Sequence, residues 1–523
     1  MSEKITYVTL LADERIHPNY EKALKDIEND FGKHHPLYIG DGEIYSSEEF
    51  EKRSPIDTRI LLGYFQQANN THIKEAIEVA KKAFKDWSAY DYKERIRIFR
   101  KVADTIEKNL YHVAAWITYE VGKNRLEAIA EVYEAIDAIR YYCKLYEENE
   151  GYVRKMGPGA PGEICYSVAK PYGVWFVISP FNFPFMLANG MCLGALLTGN
   201  TVVFKPTSEA PMGGLLLYMM YRQGGIPAGV INYLTGPGSI FEDEITKNQD
   251  IAGIAFTGSR EVGMRLYRKF TSSSPYPKPI ILETGSKNPV IVTKHADLDK
   301  AVEGIVRAAF GYSNQKCSAA SRVYVQNEIK DVFLQKLIER TKKIVVGDPR
   351  KRETFMGPLI NKRAVENYSR YIHDAIVAGG KIAYGGKVLK EGDFARGFYV
   401  EPTIISDLPH DHYLFKQELF VPILLIDTFN NLDEALAKAN DTEYGLTAGI
   451  FSEKEEEIKY FFDNIQFGVV YANRRGGATT GAWPGAQTFV GWKASGATGK
   501  GVGGPYYLLQ YVREQAQTVV KES

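Results

Sequence analysis

Four residues stand where their type and setting allow chemistry. Cys317 lies in GYSNQKCSAASR (311–322), after Lys316 and before Ser318, among small and polar residues. A free thiol has a pKa of about 8.5, so only a few per cent is thiolate at neutral pH. The Lys316 cation, backbone N–H groups or a cationic ligand would raise that fraction. Cys143, Cys165 and Cys192 sit in apolar or aromatic settings that point to burial. That leaves Cys317 as the candidate nucleophile. Glu283 ends the apolar run IILE, where a carboxylate can serve as general base or pair with Lys287. Asn182, in SPFNFPF (179–185), is flanked by proline and aromatic residues. Its amide N–H₂ can stabilise an oxyanion or brace the loop. Lys205 ends the run TVVFK. At the end of a parallel strand it faces a ligand crevice; on a plain surface its stem packs and its ammonium reaches water.

Such residues need strand ends that converge. VWFVIS (174–179), TVVFK (201–205), VINYL (230–234) and GIAFT (253–257) are strand-like and alternate with helix-like stretches. That alternation predicts parallel βαβ units with a crevice at the strands' carboxyl ends. PIILE (279–283) and PVIVT (289–293) read as further strands, and after Asp299 come a helix, the cysteine loop, RVYVQ (322–326) and a second alternating half. Upstream, Ile73, Ile77, Ala80 and Phe84, then Phe99, Val102 and Ile106, recur at helical spacing, and a third helix is predicted over 124–146. Residues 1–60 read as a loose extension with one amphipathic helix near Tyr20–Phe31. Segments 152–171 and 506–520 fit neither half. Two orphan strands predict a shared sheet, one that could form across subunits.

At 523 residues the chain predicts two or three domains. Lysine plus arginine and aspartate plus glutamate number 64 each, so no electrostatic footprint for nucleic acid or an anionic membrane is expected. The four cysteines are widely spaced without a CxxC, which argues against a disulfide framework or a metal site. The start, MSEKITYVTLLADERIH, lacks a signal-peptide layout, and a cytoplasmic protein is expected. Residues 171–204 carry no charge, but Pro180 and Pro184 break the run, so a strand, a loop and a helix are predicted and not a membrane span.

G-x-G-x-x-G occurs twice, in GPGAPG (157–162) and GKGVGG (499–504). The first precedes no good helix and the second follows no strand, so both read as turns. FTGSREVG (256–263) is better placed. Gly258 permits a tight turn, Ser259 can cap the following helix, and the free N–H groups there suit a pyrophosphate. A merely well-capped helix satisfies the same pattern.

SPFNFP, NTVVFKP, FTGSREVG, LETGSKN, GYSNQKCSAASR and KQELFVP come in the order found in the aldehyde dehydrogenase superfamily. The chain resembles that family from about His35 to Val520, including the spacing of 34 residues from Glu283 to Cys317. The resemblance implies an α/β fold of three parts. A Rossmann-like NAD-binding domain would take residues 1–150 and 172–282, an α/β catalytic domain 283–490, and a small β oligomerisation segment 151–171 and 491–523. It implies that Cys317 attacks an aldehyde to give a thiohemiacetal and then a thioester, which Glu283 hydrolyses by activating water. Asn182 and the Cys317 N–H would hold the oxyanion. Lys205 and Glu418 would hold the cofactor's riboses, Gly258 and Ser259 its pyrophosphate, and Phe420 joins the cofactor set. A glutamate that repels a 2′-phosphate often stands at the position of Ser208, so NAD use with some NADP tolerance is expected. A homodimer or higher homo-oligomer is implied.

QKCSAASR, EVGKN (120–124) and the late stretch 480–509 are similar to the branch that oxidises L-glutamate γ-semialdehyde. By that likeness Ser318, Gly481 and Ala482 would hold the substrate's α-carboxylate, Phe183 and Phe489 would sandwich its stem, and Glu134 would face its ammonium. The family's PFGG is TFVG here (488–491), its GGK is GSK (285–287), and its tryptophan before the asparagine is Phe181. Trp483 and Pro484 stand where smaller aliphatics are usual. Other carboxylated semialdehydes, those of 2-oxoglutarate and succinate, remain open as substrates. A non-catalytic protein of the same fold has no use for Cys317, Glu283 and Asn182 together, and no local motif places a histidine to make Cys317 a hydrolase nucleophile.

Overall fold

The computed structural model describes residues 14–476 and 483–521. Its first sheet has seven strands, in the order Ile280–Thr284, Ile251–Gly258, Val174–Ser179, Thr201–Pro206, Ile231–Tyr233, Leu37–Ile39 and Gly42–Ile44. The first five run parallel. These strands are apolar on both faces because successive side chains point to opposite sides and both sides are covered. Val174, Phe176, Val203 and Ile254 pack with Ile73, Ile77 and Ala80 of the helix Asn70–Ala89. Trp175, Val177, Val202 and Ala255 join the other cluster, with Leu193 and Leu196 of the helix Met186–Leu197.

The N-terminal region is not a loose extension. Residues 37–44 form an antiparallel hairpin that completes the sheet's edge. The helix Ile16–Asp26 buries Ile16, Tyr20, Ala23 and Leu24. The hairpin's strands are three residues each, too short to show a period. The helix Leu110–Val121 was also invisible to periodicity. It is buried from Val113 to Val121, so it has no polar stripe to mark a face.

The second sheet runs Lys381–Tyr384, Thr403–Ser406, Ile423–Phe429, Ala320–Gln326, Asn288–Val292, Thr447–Phe451 and Val469–Ala472. All its pairs are parallel except the first. A third sheet stands apart from both. Val153–Met156 pairs with Glu163–Pro171, which pairs with Val512–Val520 in continuous register from Val512↔Pro171 to Val520↔Glu163. The two orphan segments thus share a sheet, as expected, and they pair with each other within one chain. GPGAPG is the turn of this hairpin. Residues 171–204 become strand, loop and helix, and among the described residues no helix is long and apolar enough to cross a membrane.

Candidate active site

Parallel register sets the first level of the site. Lys205 pairs with Ile178, Ile178 with Phe256, and Phe256 with Leu282. One row therefore crosses four strand ends, and Glu283 lies one residue beyond it, opposite Thr257. Asn182 follows Ser179 in the loop leading to the helix Met186–Leu197, and it is buried.

The cysteine loop comes from the second unit. The helix Leu298–Phe310 ends, and Tyr312, Ser313 and Asn314 take φ of 50°, 56° and 60°. Three successive left-handed non-glycine residues each cost roughly 1–2 kcal/mol, so the surroundings must hold them. They do so by side-chain hydrogen bonds. Tyr312 donates to Val121 O at 3.0 Å and Ser313 to Gly357 O at 2.8 Å. The Asn314 amide donates to Ala309 O and Ala320 O, at 2.7 and 3.0 Å. Gln315 donates to Pro358 O and accepts from Ile360 N. Beyond the cysteine, Asn288 Nδ2 donates to Cys317 O at 2.7 Å and Ala319 O at 2.8 Å, while its Oδ1 accepts from Thr447 N.

The result is a fixed thiol. Cys317 is partly buried, less open than its polar neighbours suggested. Its Sγ donates to Glu283 Oε1 at 3.5 Å. Burial raises the Glu283 carboxyl to about 7, opposed only by the Cys317 hydrogen bond. Burial also drives the Cys317 thiol well up, and the Glu283 and Glu418 carboxylates push it further. Lys316 does not act as the expected cation beside the sulfur. Its ammonium is buried on Glu127, 2.7 Å from Oε1 and 2.6 Å from Oε2. Lys287 forms no ion pair with Glu283 among the described residues; it is fully buried, and its Nζ has no hydrogen-bond partner there. A proton acceptor poised near neutrality thus faces an un-ionised thiol, the pairing that general-base chemistry needs.

Phe489 lines one cavity with Glu283, together with Met186, Gly190 and the stretch Gly499–Val502. The GKGVGG segment is therefore no phosphate turn, yet it borders the site. Cys317 packs at the edge of the apolar cluster that contains Phe183, Tyr312 and Phe489. Ser318 is buried beside the cysteine, its carbonyl accepting from Thr447 Oγ1. Glu134 is buried on the helix Arg125–Glu148, and Trp483 is buried as well. Gly481 and Ala482 lie outside the described residues.

Of the expected cofactor residues, Lys205 and Gly258 lie at strand ends of the first sheet, Ser208 and Ser259 follow them, and Glu418 and Phe420 precede the strand Ile423–Phe429 of the second. Lys205 is buried, which lowers it to about 8. Its Nζ donates to Pro206 O at 3.0 Å, one of three possible donations. Ser208 Oγ donates to Gly236 O. Ser259 caps the helix Arg260–Ser273 by accepting from Val262 N. Gly258 ends the strand Ile251–Gly258, and its φ is not positive. Its bare Cα is needed because a Cβ there would stand 2.6 Å from the Phe256 ring. Glu418 accepts from Ser286 N at 2.8 Å, and burial raises it to about 7. Phe420, at φ 59°, meets Phe181 edge-on at 5.8 Å. A buried ammonium at Lys205, a carboxylate at Glu418 and a helix start after Ser259 whose first N–H groups lack intrahelical partners are groups of the kind that a dinucleotide's riboses and pyrophosphate take.

Three supporting residues escaped the sequence reading. Asn288 orders the peptide after the cysteine, and Lys123 and Glu131 form an ion pair of 2.7 Å with both side chains fully buried. Lys123 stands in EVGKN, read only as a signature. For Glu131 the available signal was a charged residue inside a largely apolar helix.

This combination of two α/β units, a partly buried cysteine–glutamate pair and a β arm places the chain in the aldehyde dehydrogenase family, whose model matches residues 44–517. The 1-pyrroline-5-carboxylate dehydrogenase 1 of Halalkalibacterium halodurans is 36% identical over 504 residues, 96% of this chain and 95% of that one. A crystal structure of 1-pyrroline-5-carboxylate dehydrogenase from Thermus with bound NAD is 33% identical, with a TM-score of 0.92 and 97% of both chains covered. Proline utilization A from Bdellovibrio bacteriovorus has the same TM-score at 34% identity, and this chain spans 52% of its length.

Proposed function

We propose that the chain oxidises L-glutamate γ-semialdehyde, released from 1-pyrroline-5-carboxylate, to L-glutamate in proline breakdown, using NAD. The observation that carries the chemistry is the Cys317 Sγ–Glu283 Oε1 hydrogen bond at 3.5 Å inside a partly closed site. The likeness in sequence and structure to 1-pyrroline-5-carboxylate dehydrogenases supports the substrate.

Glu283 takes the thiol proton as Cys317 forms its C–S bond to the aldehyde carbon. The Asn182 amide and the Cys317 N–H hold the oxygen that becomes negative. NAD, when bound, supplies the hydride acceptor, and Lys205, Ser208, Gly258, Ser259, Glu418 and Phe420 are the residues that would hold it. Once Glu283 has released that proton to solvent it draws a second one from water, whose oxygen attacks the thioester carbon; the C–S bond breaks, the acid leaves, and the proton on Glu283 returns to the sulfur. Phe183 and Phe489 exclude water from the substrate's stem. Glu134, Ser318, Gly481 and Ala482 bind its polar end.

Residues 1–150 with 172–282 would be the cofactor-binding unit, and 283–490 the catalytic unit. Residues 151–171 with 491–523 would be the oligomerisation segment. The arm supports a homodimer or larger assembly, since Met156, Tyr166, Val519 and Val520 expose apolar surface on it. Four free cysteines suit a reducing cytoplasm.

The test is nicotinamide reduction with 1-pyrroline-5-carboxylate beside the semialdehydes of succinate and 2-oxoglutarate, with NAD and NADP. Preference for the pyrroline supports the substrate. Preference for another semialdehyde overturns it and leaves the reaction class standing.

A further inference from the structure

The helix Met186–Leu197 begins directly after the Asn182 loop with Phe185 at its N-cap, a residue with no side-chain acceptor. Its first N–H groups are satisfied from elsewhere. Glu131 Oε1, on the helix Arg125–Glu148, accepts from Phe185 N at 2.9 Å and Met186 N at 3.0 Å. The other oxygen of Glu131 accepts from Lys123 Nζ at 2.7 Å. That ammonium lies 3.3 Å from the centroid of the Phe183 ring and 5.0 Å from that of Tyr312. Phe183 is next to Asn182. Tyr312 opens the left-handed turn before Cys317, and its hydroxyl donates to Val121 O, two residues before Lys123. A single buried cation therefore touches an aromatic ring on each of the two loops.

We infer that Lys123 and Glu131 are positioning residues that fix the loop of Asn182 against the loop of Cys317. Cohesion does not explain the pair. Well-packed apolar residues usually serve a core as well as a buried ion pair or better. What apolar residues cannot supply is a carboxylate that caps one loop's helix and a cation attracted to both rings. The inference concerns how the loops are held, and its effect on rate rests on the proposed roles of Cys317 and Asn182.

The test uses the full chain carrying Lys123→Met together with Glu131→Gln. This double variant leaves no unpaired buried charge and keeps an acceptor for Phe185 N and Met186 N. Hydrogen exchange is followed over 180–187 and 311–318, with the number of alkylatable Cys317 thiols, the burst of nicotinamide reduction and the KM for NAD. The expected result is full thiol titre, faster exchange in both segments, a burst rate per thiol about 10–100-fold lower, and an unchanged KM for NAD. Faster exchange in only one segment, or in neither, overturns the bridge. A loss confined to thiol titre or Tm, with normal burst rate per thiol, shows a merely structural pair and overturns it too. If both segments loosen while the wild type shows no Cys317-dependent reduction, the holding role stands and the proposed reaction falls.

Discussion

The thiol of Cys317 donates to the carboxylate of Glu283, 34 residues earlier in the chain and on another sheet, at 3.5 Å. Burial leaves Glu283 titrating at about 7 and pushes Cys317 well above its ordinary range. Glu283 can therefore accept the sulfur's proton during attack only once it has itself ionised. The rate of aldehyde-dependent reduction should rise with pH through about 7, and the iodoacetamide reactivity of Cys317 should rise over the same window. A reactivity flat from pH 6 to 8 would refute the coupling.

Glu283→Gln removes the base from both half-reactions. Steady-state turnover should drop by about 10²–10⁴-fold, and the burst of nicotinamide reduction should slow with it. The same variant should be more stable at alkaline pH. A carboxyl whose folded pKa is raised favours folding fully below its ordinary value of 4.5, and that contribution is lost as pH rises through about 7. The Tm difference between Glu283→Gln and wild type should be small at pH 5 and positive at pH 8.

Replacing Asn182 by Ala should lower kcat by about 10²–10³-fold, the usual consequence of losing one oxyanion donor. NAD affinity, measured by fluorescence quenching, should not change. Weaker NAD binding would mean that Asn182 serves the cofactor loop instead.

Ser208→Glu tests the cofactor reading. Ser208 spends its hydroxyl on Gly236 O, and its neighbour Glu209 is turned toward Asn361, at 2.7 Å, and Lys52. A new carboxylate at 208 should cut kcat/KM with NADP by about tenfold or more through like-charge repulsion and spare NAD. Equal losses with both cofactors would show that the position does not read the 2′ group.

The parallel strands were legible because both their faces are buried, so unbroken apolar runs such as VWFVIS and TVVFK announce themselves. Glu283, Lys205 and Asn182 were legible because each ends such a run or interrupts an aromatic loop. The role of Lys316 was misread from adjacency. Side chains of successive residues in the loop diverge, and Lys316 swings to Glu127 while Cys317 turns to Glu283. Lys123 and Glu131 were not paired from the sequence, since Lys123 lies in the loop before the helix Arg125–Glu148 and eight residues separate it from Glu131. The arm's two strands were each visible, but nothing local to either names its partner.

That arm carries a consequence for how the molecule comes into being. Cys165 and Thr518 face each other across its central pairing, 353 residues apart. A ribosome must therefore add most of the remaining polypeptide before Glu163–Pro171 can receive its neighbour. Until then this strand offers an open row of amides and carbonyls to any passing chain. Both α/β units can form in the meantime, so the arm is set to close last. Assembly through it would thus await a finished fold, a sequence of events in which the final strand acts as a signal of completion.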